Sequence, residues 1–181
     1  MNGTNAPDTL LITATGKDQR GLVLRLTERI HDSGCNIEES RMTVLDGQAV
    51  LVLLVGGPWH ALSRLEAQLP AAAEQLDLHL HFVRAQKTEG ARSALPYNVE
   101  TVTLDQPGVV RNLALFFYRR NIAITDVQSS TYVAPQTGAR MCSVLMTVGV
   151  PAEVHIATLR GDFFDYCDDI NLDATFEPVR G

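Results

Sequence analysis

Basic residues are scarce. The 181-residue chain carries 15 Lys and Arg against 21 Asp and Glu, giving a net charge of -6 and a pI near 5.3. Direct nucleic-acid binding draws on a cationic face that displaces phosphate counterions, so this balance argues against it. Neither helix-turn-helix nor zinc-finger spacing occurs. Cysteine is also sparse: Cys35, Cys142 and Cys167 are odd in number and widely separated, which excludes a disulfide framework and paired metal-ligand spacing. They read as free thiols in a reducing compartment. The longest apolar run, Ala49 to Val55, is far too short to span a bilayer. Met1 to Asp8 has no basic-then-apolar leader pattern, so a cytoplasmic location is expected.

What the chain does have is a segment that occurs twice. Asp18-Gln19-Arg20-Gly21-Leu22-Val23 returns 87 residues later as Asp105-Gln106-Pro107-Gly108-Val109-Val110. The match continues without gaps, Leu26 with Leu113, Ile30 with Phe117, Ile37 with Ile124 and Glu39 with Asp126. That period is too long for a solenoid repeat and suits a small domain, so the chain reads as two copies of one module.

In the first copy Thr9 to Ala14 is an apolar and β-branched run that reads as a strand. Leu22, Val23, Leu26 and Ile30 then fall at helical spacing, with Gly34 as the stop. Asn36–Leu45 and Gln48–Val55 are strand-like segments around Asp46-Gly47, a two-residue hairpin turn. Leu62, Leu65 and Leu69 predict a second helix ending near Pro70 or just beyond it. Leu76, Leu78, Leu80 and Phe82 alternate with polar residues as a last strand. The second copy repeats this order: Tyr97–Leu104, a helix over Pro107–Arg120, a hairpin of Ile122–Val133 with Arg140–Val150, a helix from Ala152 to about Tyr166, and Ile170–Val179. Right-handed β-α-β crossovers close such an order into a four-stranded antiparallel sheet backed by two helices. The expected fold is therefore α+β, two tandem ferredoxin-like βαββαβ domains over residues 9–85 and 97–181. Residues 1–8 are expected to be a flexible N-terminus and 86–96 a linker.

Each Asp-Gln-x-Gly segment falls where the first strand hands over to the first helix. Unpaired N–H groups and the positive end of the helix dipole suit a carboxylate there. Glycine at 21 and 108 lets a ligand or a neighbouring backbone come close. Asp18 and Asp105 would either cap the helix or accept a hydrogen bond from a ligand ammonium group. Amides beside a carboxylate match a zwitterion such as a free amino acid. Capping with close packing is the plainer alternative.

The β-α-β-β-α-β order with Asp-x-x-Gly at its first turn resembles the ACT domain, a regulatory module that typically binds amino acids. The fuller run is Leu11 to Ala14, Asp18 to Gly21, and Gly34-Cys35-Asn36-Ile37-Glu38-Glu39-Ser40-Arg41-Met42. With Gly57-Pro58-Trp59, Leu69-Pro70 and Leu76-Asp77-Leu78, it is similar to the glycine cleavage system transcriptional repressor family. That resemblance implies two tandem ACT domains without a DNA-binding segment, acting on a partner transcription factor with glycine as the signal and no cofactor. It also implies intramolecular ACT pairing or a homodimer. By position it assigns ligand contact to Asp18, Gln19, Gly21 and Leu22, with Asn36 and Ile37 opposite in a paired module. The second copy supplies Asp105, Gln106, Gly108, Val109 and Ile124. The loops differ at Arg20 and Pro107, and the flanks at Asn36 against Ala123 and Gly34 against Asn121. Arg20 reads either as a carboxylate clamp or as a solvated first-turn arginine.

Other chemistry-bearing residues have plainer readings. His79 and His81 share one strand face at a spacing metals use, but without a third ligand. His31, His60 and His155 read as surface residues. The aspartates at 162, 165, 168 and 169 read as a solvated helix end. Trp59 reads as a packing anchor, with a partner contact as the alternative. Phe116, Phe117 and Tyr118 cannot all face one core, so one is expected to meet another surface. Two further readings stand beside the sensor: a constitutive protein adaptor without a ligand, and a metal-dependent enzyme built on the two strand histidines.

Overall fold

The computed structural model describes residues 9–85 and 94–179, and the chain divides into two compact units, residues 1–89 and 90–181. The expectation for residues 1–8, and that for the linker over 86–93, lie outside the described residues. Ala94–Pro96, assigned above to the linker, belong to a strand.

The first unit runs β1 (Thr9–Lys17), α1 (Leu22–Asp32), β2 (Asn36–Leu45), β3 (Gln48–Gly56), α2 (Trp59–Leu76) and β4 (Leu78–Ala85). Its antiparallel sheet has the order β2-β3-β1-β4. Period-2 alternation on β1 and β3 turns Leu10, Ile12, Leu51, Leu53 and Val55 to one face. The helical stripes Leu22, Leu26, Ile30 and Leu62, Leu65, Leu69 close over that face as a single core. The α1 C-terminus closes as a double turn, with Gly34 N–H donating to His31 O (2.8 Å) and Cys35 N–H to Ile30 O (3.2 Å).

The second helix does not stop at Pro70. It continues to Leu76, because Ala71 to Ala73 favour helix and Ala72 and Leu76 are buried below the exposed proline. Asp77, in the left-handed region at φ 50°, ends it, so Leu76 is the last helical residue rather than the first of a strand. Trp59 is 68% exposed and is not a core anchor. Its ring has the Arg84 guanidinium 5.8 Å from its centre, and Arg84 in turn grips Glu66 through Nε (2.8 Å) and Nη2 (2.9 Å), holding that carboxyl below its ordinary range.

The second unit repeats the plan: β5 (Ala94–Leu104), α3 (Val109–Tyr118), β6 (Ala123–Val133), β7 (Arg140–Pro151), α4 (Ile156–Asp169) and β8 (Asp173–Pro178), with sheet order β6-β7-β5-β8. Pro107 precedes the helix instead of occupying its first turn, since Gly108 is the N-cap. The last helix starts at Ile156, four residues after the expected Ala152, because His155 caps it: Thr158 N–H donates to His155 Nδ1 at 3.4 Å. Asn121, at φ 55°, takes the place of Gly34 and closes α3 by the same double turn. Phe116 and Phe117 both enter an aromatic core with Phe163 and Phe176, leaving Tyr118 as the exposed member of the triplet at 80%.

Gly16, at the end of β1, abuts the α2–β4 corner. A Cβ there would lie 2.7 Å from Asp77 O and 2.8 Å from Leu78 Cδ2. Gly16→Ala is therefore expected to destabilise the first unit by roughly 1–3 kcal/mol through overpacking. Its denaturation midpoint should fall, and an unchanged midpoint would contradict this packing.

Candidate functional site

Both repeated loops are built by one backbone device. The Asp18 N–H donates to Gly47 O (2.8 Å) in the β2–β3 turn, and the Asp105 N–H donates to Arg140 O (2.9 Å) at the start of β7. Gly21 and Gly108 then sit at the helix N-cap in the left-handed region, at φ 83° and 96°. A side chain is disfavoured in that conformation, which is the reason for glycine here. The N-cap carbonyls accept the first helical bonds, from Arg25 N–H (3.0 Å) and Asn112 N–H (2.9 Å).

No side chain caps either helix, so Asp18 and Asp105 are not capping residues. The physical reason is their place three residues before the glycine, with their own N–H groups bonded to the hairpin. First-turn N–H groups, such as those of Val23 and Leu24, lack helical partners and face the positive pole of the helix.

The side chains around the two loops differ. Gln19 Nε2 donates to Leu76 O (2.6 Å), at the last residue of α2. Arg25 Nη2 donates to Gln19 Oε1 (2.9 Å) and to Arg20 O (3.4 Å). Gln19 is thus committed to holding the loop. Among the described residues the exposed Asp18 carboxylate has no hydrogen-bond or ion-pair partner. Asp105, by contrast, is paired with Arg140, whose Nη2 lies 3.3 Å from Oδ2. Arg20, Gln106 and Pro107 are exposed, while Leu22 and Val109 are buried beneath their loops, where they support the turn without presenting a side chain.

Asn36 and Ile37 lie at the other end of the same sheet. Lys17, next to the loop, faces Gln48, whereas Asn36 faces Gly56, which pairs with Thr9 at the start of β1. The intervening strand puts about 25 Å between the two sets. Ile124 is likewise remote from the Asp105 loop, opposite Val148, which pairs with Tyr97. A single module therefore does not bring its two sets together.

Asn36 and Ile37 line a cavity of about 320 Å³ with Thr27, Glu28, Ile30, His31 and Cys35. Sequence reading missed Thr27, Glu28 and His31 as lining residues, although their i, i+1, i+4 spacing places them along one side of α1. The turn through Gly34 brings the strand start beneath them.

The thiols are poor nucleophiles. Burial pushes Cys35 and Cys142 up, and burial with Asp168 alongside pushes Cys167 up to about 12. His79 and His81 project from the exposed face of β4, and among the described residues no group of three His, Cys, Asp or Glu is placed to hold a metal ion.

Comparison with known proteins supports the fold. The ACT domain family model matches residues 8–83. The glycine cleavage system transcriptional repressor of Escherichia coli K12 is 28% identical over 173 residues, covering 94% of this chain and 90% of that one. The first unit matches the ACT domain, the tandem fold is that of two such modules, and the chain as a whole is similar to glycine cleavage system transcriptional repressors. The protein of that name from Shigella flexneri matches equally. A crystal structure described as a candidate repressor of this kind superposes with a TM-score of 0.73 at 21% identity, covering 96% of this chain and 98% of its own. A protein of unknown function from Galdieria sulphuraria gives 0.75 at 19%, covering 96% and 99%. At those identities the two structures speak for the tandem ACT fold alone.

Arg25→Leu should free Gln19 and loosen the first ACT loop. The expected result is faster amide hydrogen exchange at residues 20–24, with a global stability loss of roughly 0.5–1.5 kcal/mol, the net worth of a hydrogen bond. Unchanged exchange in that segment would show that the Gln19–Arg25 clasp does not hold the loop.

Proposed function

We propose that this ACT protein is a non-enzymatic regulator that responds to a small amino acid, glycine foremost, and acts by contacting a partner transcription factor in the cytoplasm. The observation that carries the ligand part is the pairing, at the Asp18 loop, of an unpartnered carboxylate with the open amides of the α1 N-terminus. A free amino acid presents the complementary pair, an ammonium for the carboxylate and a carboxylate for the amides. The glycine cradle adds no side chain to obstruct a compact ligand. Asn36, Ile37 and their cavity would complete the site from the first module of a second copy of the chain. Kinship with proteins named as glycine cleavage repressors supports the regulatory reading and the choice of glycine.

The mode of action would be linkage. A ligand that prefers one arrangement of the protein shifts the population a partner recognises, by no more than its differential affinity. The acidic net charge favours contact with a protein over contact with DNA. Exposed Trp59 and Tyr118 favour a protein partner as well, because such aromatics commonly anchor interfaces. That observation alone would also suit a constitutive adaptor.

Thermal unfolding separates the two. Glycine at about 100 times its Kd should stabilise the protein by about 2.7 kcal/mol and raise Tm, and Asp18→Ala should abolish the shift. A flat response to millimolar glycine and serine would leave only the adaptor.

A further inference from the structure

The two loops share one backbone clamp and differ in what stands beside it. The register makes Gly47 and Arg140 equivalent, since each immediately precedes the partner of the last β1 or β5 residue: Lys17 faces Gln48 and Leu104 faces Met141. The carbonyl of each accepts from the N–H of the equivalent aspartate, Asp18 or Asp105. At Gly47 the chain is already turning, at φ 75°, and there is no side chain. The second hairpin runs one rung further, with Val133 opposite Arg140, so the equivalent position is still strand and projects a guanidinium. Arg140 Nε and Nη2 both lie 3.3 Å from Asp105 Oδ2.

We propose that Arg140 is the specificity determinant that closes the second ACT loop to amino acids, leaving the Asp18 loop as the one ligand-responsive loop of each chain. The proposal rests on the reading of the Asp18 loop given above. An ammonium group approaching Asp105 meets a carboxylate that already has a cation. It must displace a guanidinium that is tethered, and therefore always present at high effective concentration. It must also approach that like charge as it does so. Among the described residues the glycine cradle itself is open: Gly108 has no atom within 4 Å of where its Cβ would stand, and no side chain caps α3. A one-rung difference in hairpin length thereby divides the roles of two modules that keep the same loop motif.

The test is calorimetric titration of glycine into the full chain and its variants. Wild type should bind one equivalent per chain. Arg140→Gln and Arg140→Ala should bind a second, and Gly47→Arg should bind none. Gly47→Ala, which carries the same positive-φ strain without a cation, should still bind one and so separates charge from hairpin damage. Two equivalents on wild type, one on both Arg140 variants, or unaltered binding by Gly47→Arg would overturn the proposal while leaving the Asp18 reading in place. One equivalent on the Arg140 variants with none on wild type would sustain the role of Arg140 and remove the Asp18 reading. Absence of binding by every form would overturn both.

Discussion

The structure turns on a single backbone hydrogen bond, made once in each module, from the aspartate N–H after the central strand to a carbonyl of the neighbouring hairpin. It fixes where β1 and β5 end. The left-handed glycine three residues later fixes the direction in which the helix departs. Because β1 and β5 are interior strands of their sheets, each of these junctions sets how a helix lies across its core. Leu22 and Val109, the first helical residues, are buried just beyond the turn, so the polar clamp and the apolar core reinforce each other. The same junction leaves first-turn amides open, and the property that makes the loop a sound structural corner also makes it receptive to an anion.

The first module adds a second tie. Gln19 reaches the α2 C-terminus and is itself held by Arg25, so the loop is braced against both helices. In the second module the tie is ionic and runs from Asp105 to the hairpin. The two modules stabilise the same corner with different partners. Only the first does so without engaging the aspartate side chain, and that difference, more than the shared motif, decides what each loop has left to offer a ligand.

Much of the fold was legible in the sequence because its signals are local. The apolar periods of β1, β3 and α1, the Asp46-Gly47 turn and the 87-residue repeat each announce their own structure. The misreadings arose where tertiary packing outweighed a local rule. The local pattern around Pro70 places the helix end there or just beyond, but burial of Ala72 and Leu76 carries the helix on to Leu76. Trp59 is no packing anchor, because its position at the first residue of α2 leaves it in solvent against Arg84, and only the partner-contact alternative remains. The capping role of Asp18 and Asp105 failed because the clamp bonds their N–H groups to a distant hairpin, a contact no local pattern reveals. The candidate site was legible only in part. The loop residues follow from their motif, whereas the cavity beside Asn36 depends on how the α1 C-terminus folds back over the strand start. The Arg140–Asp105 pair joins residues 35 apart in sequence, and only the register brings them together.

The most direct test of the account is a glycine titration followed by the backbone amide resonances of both loops in one sample of the intact chain. The account predicts progressive shifts at Gln19, Gly21 and Leu22, with Gln106, Gly108 and Val109 unmoved. Equal shifts in the two loops, or none in the first, would contradict it.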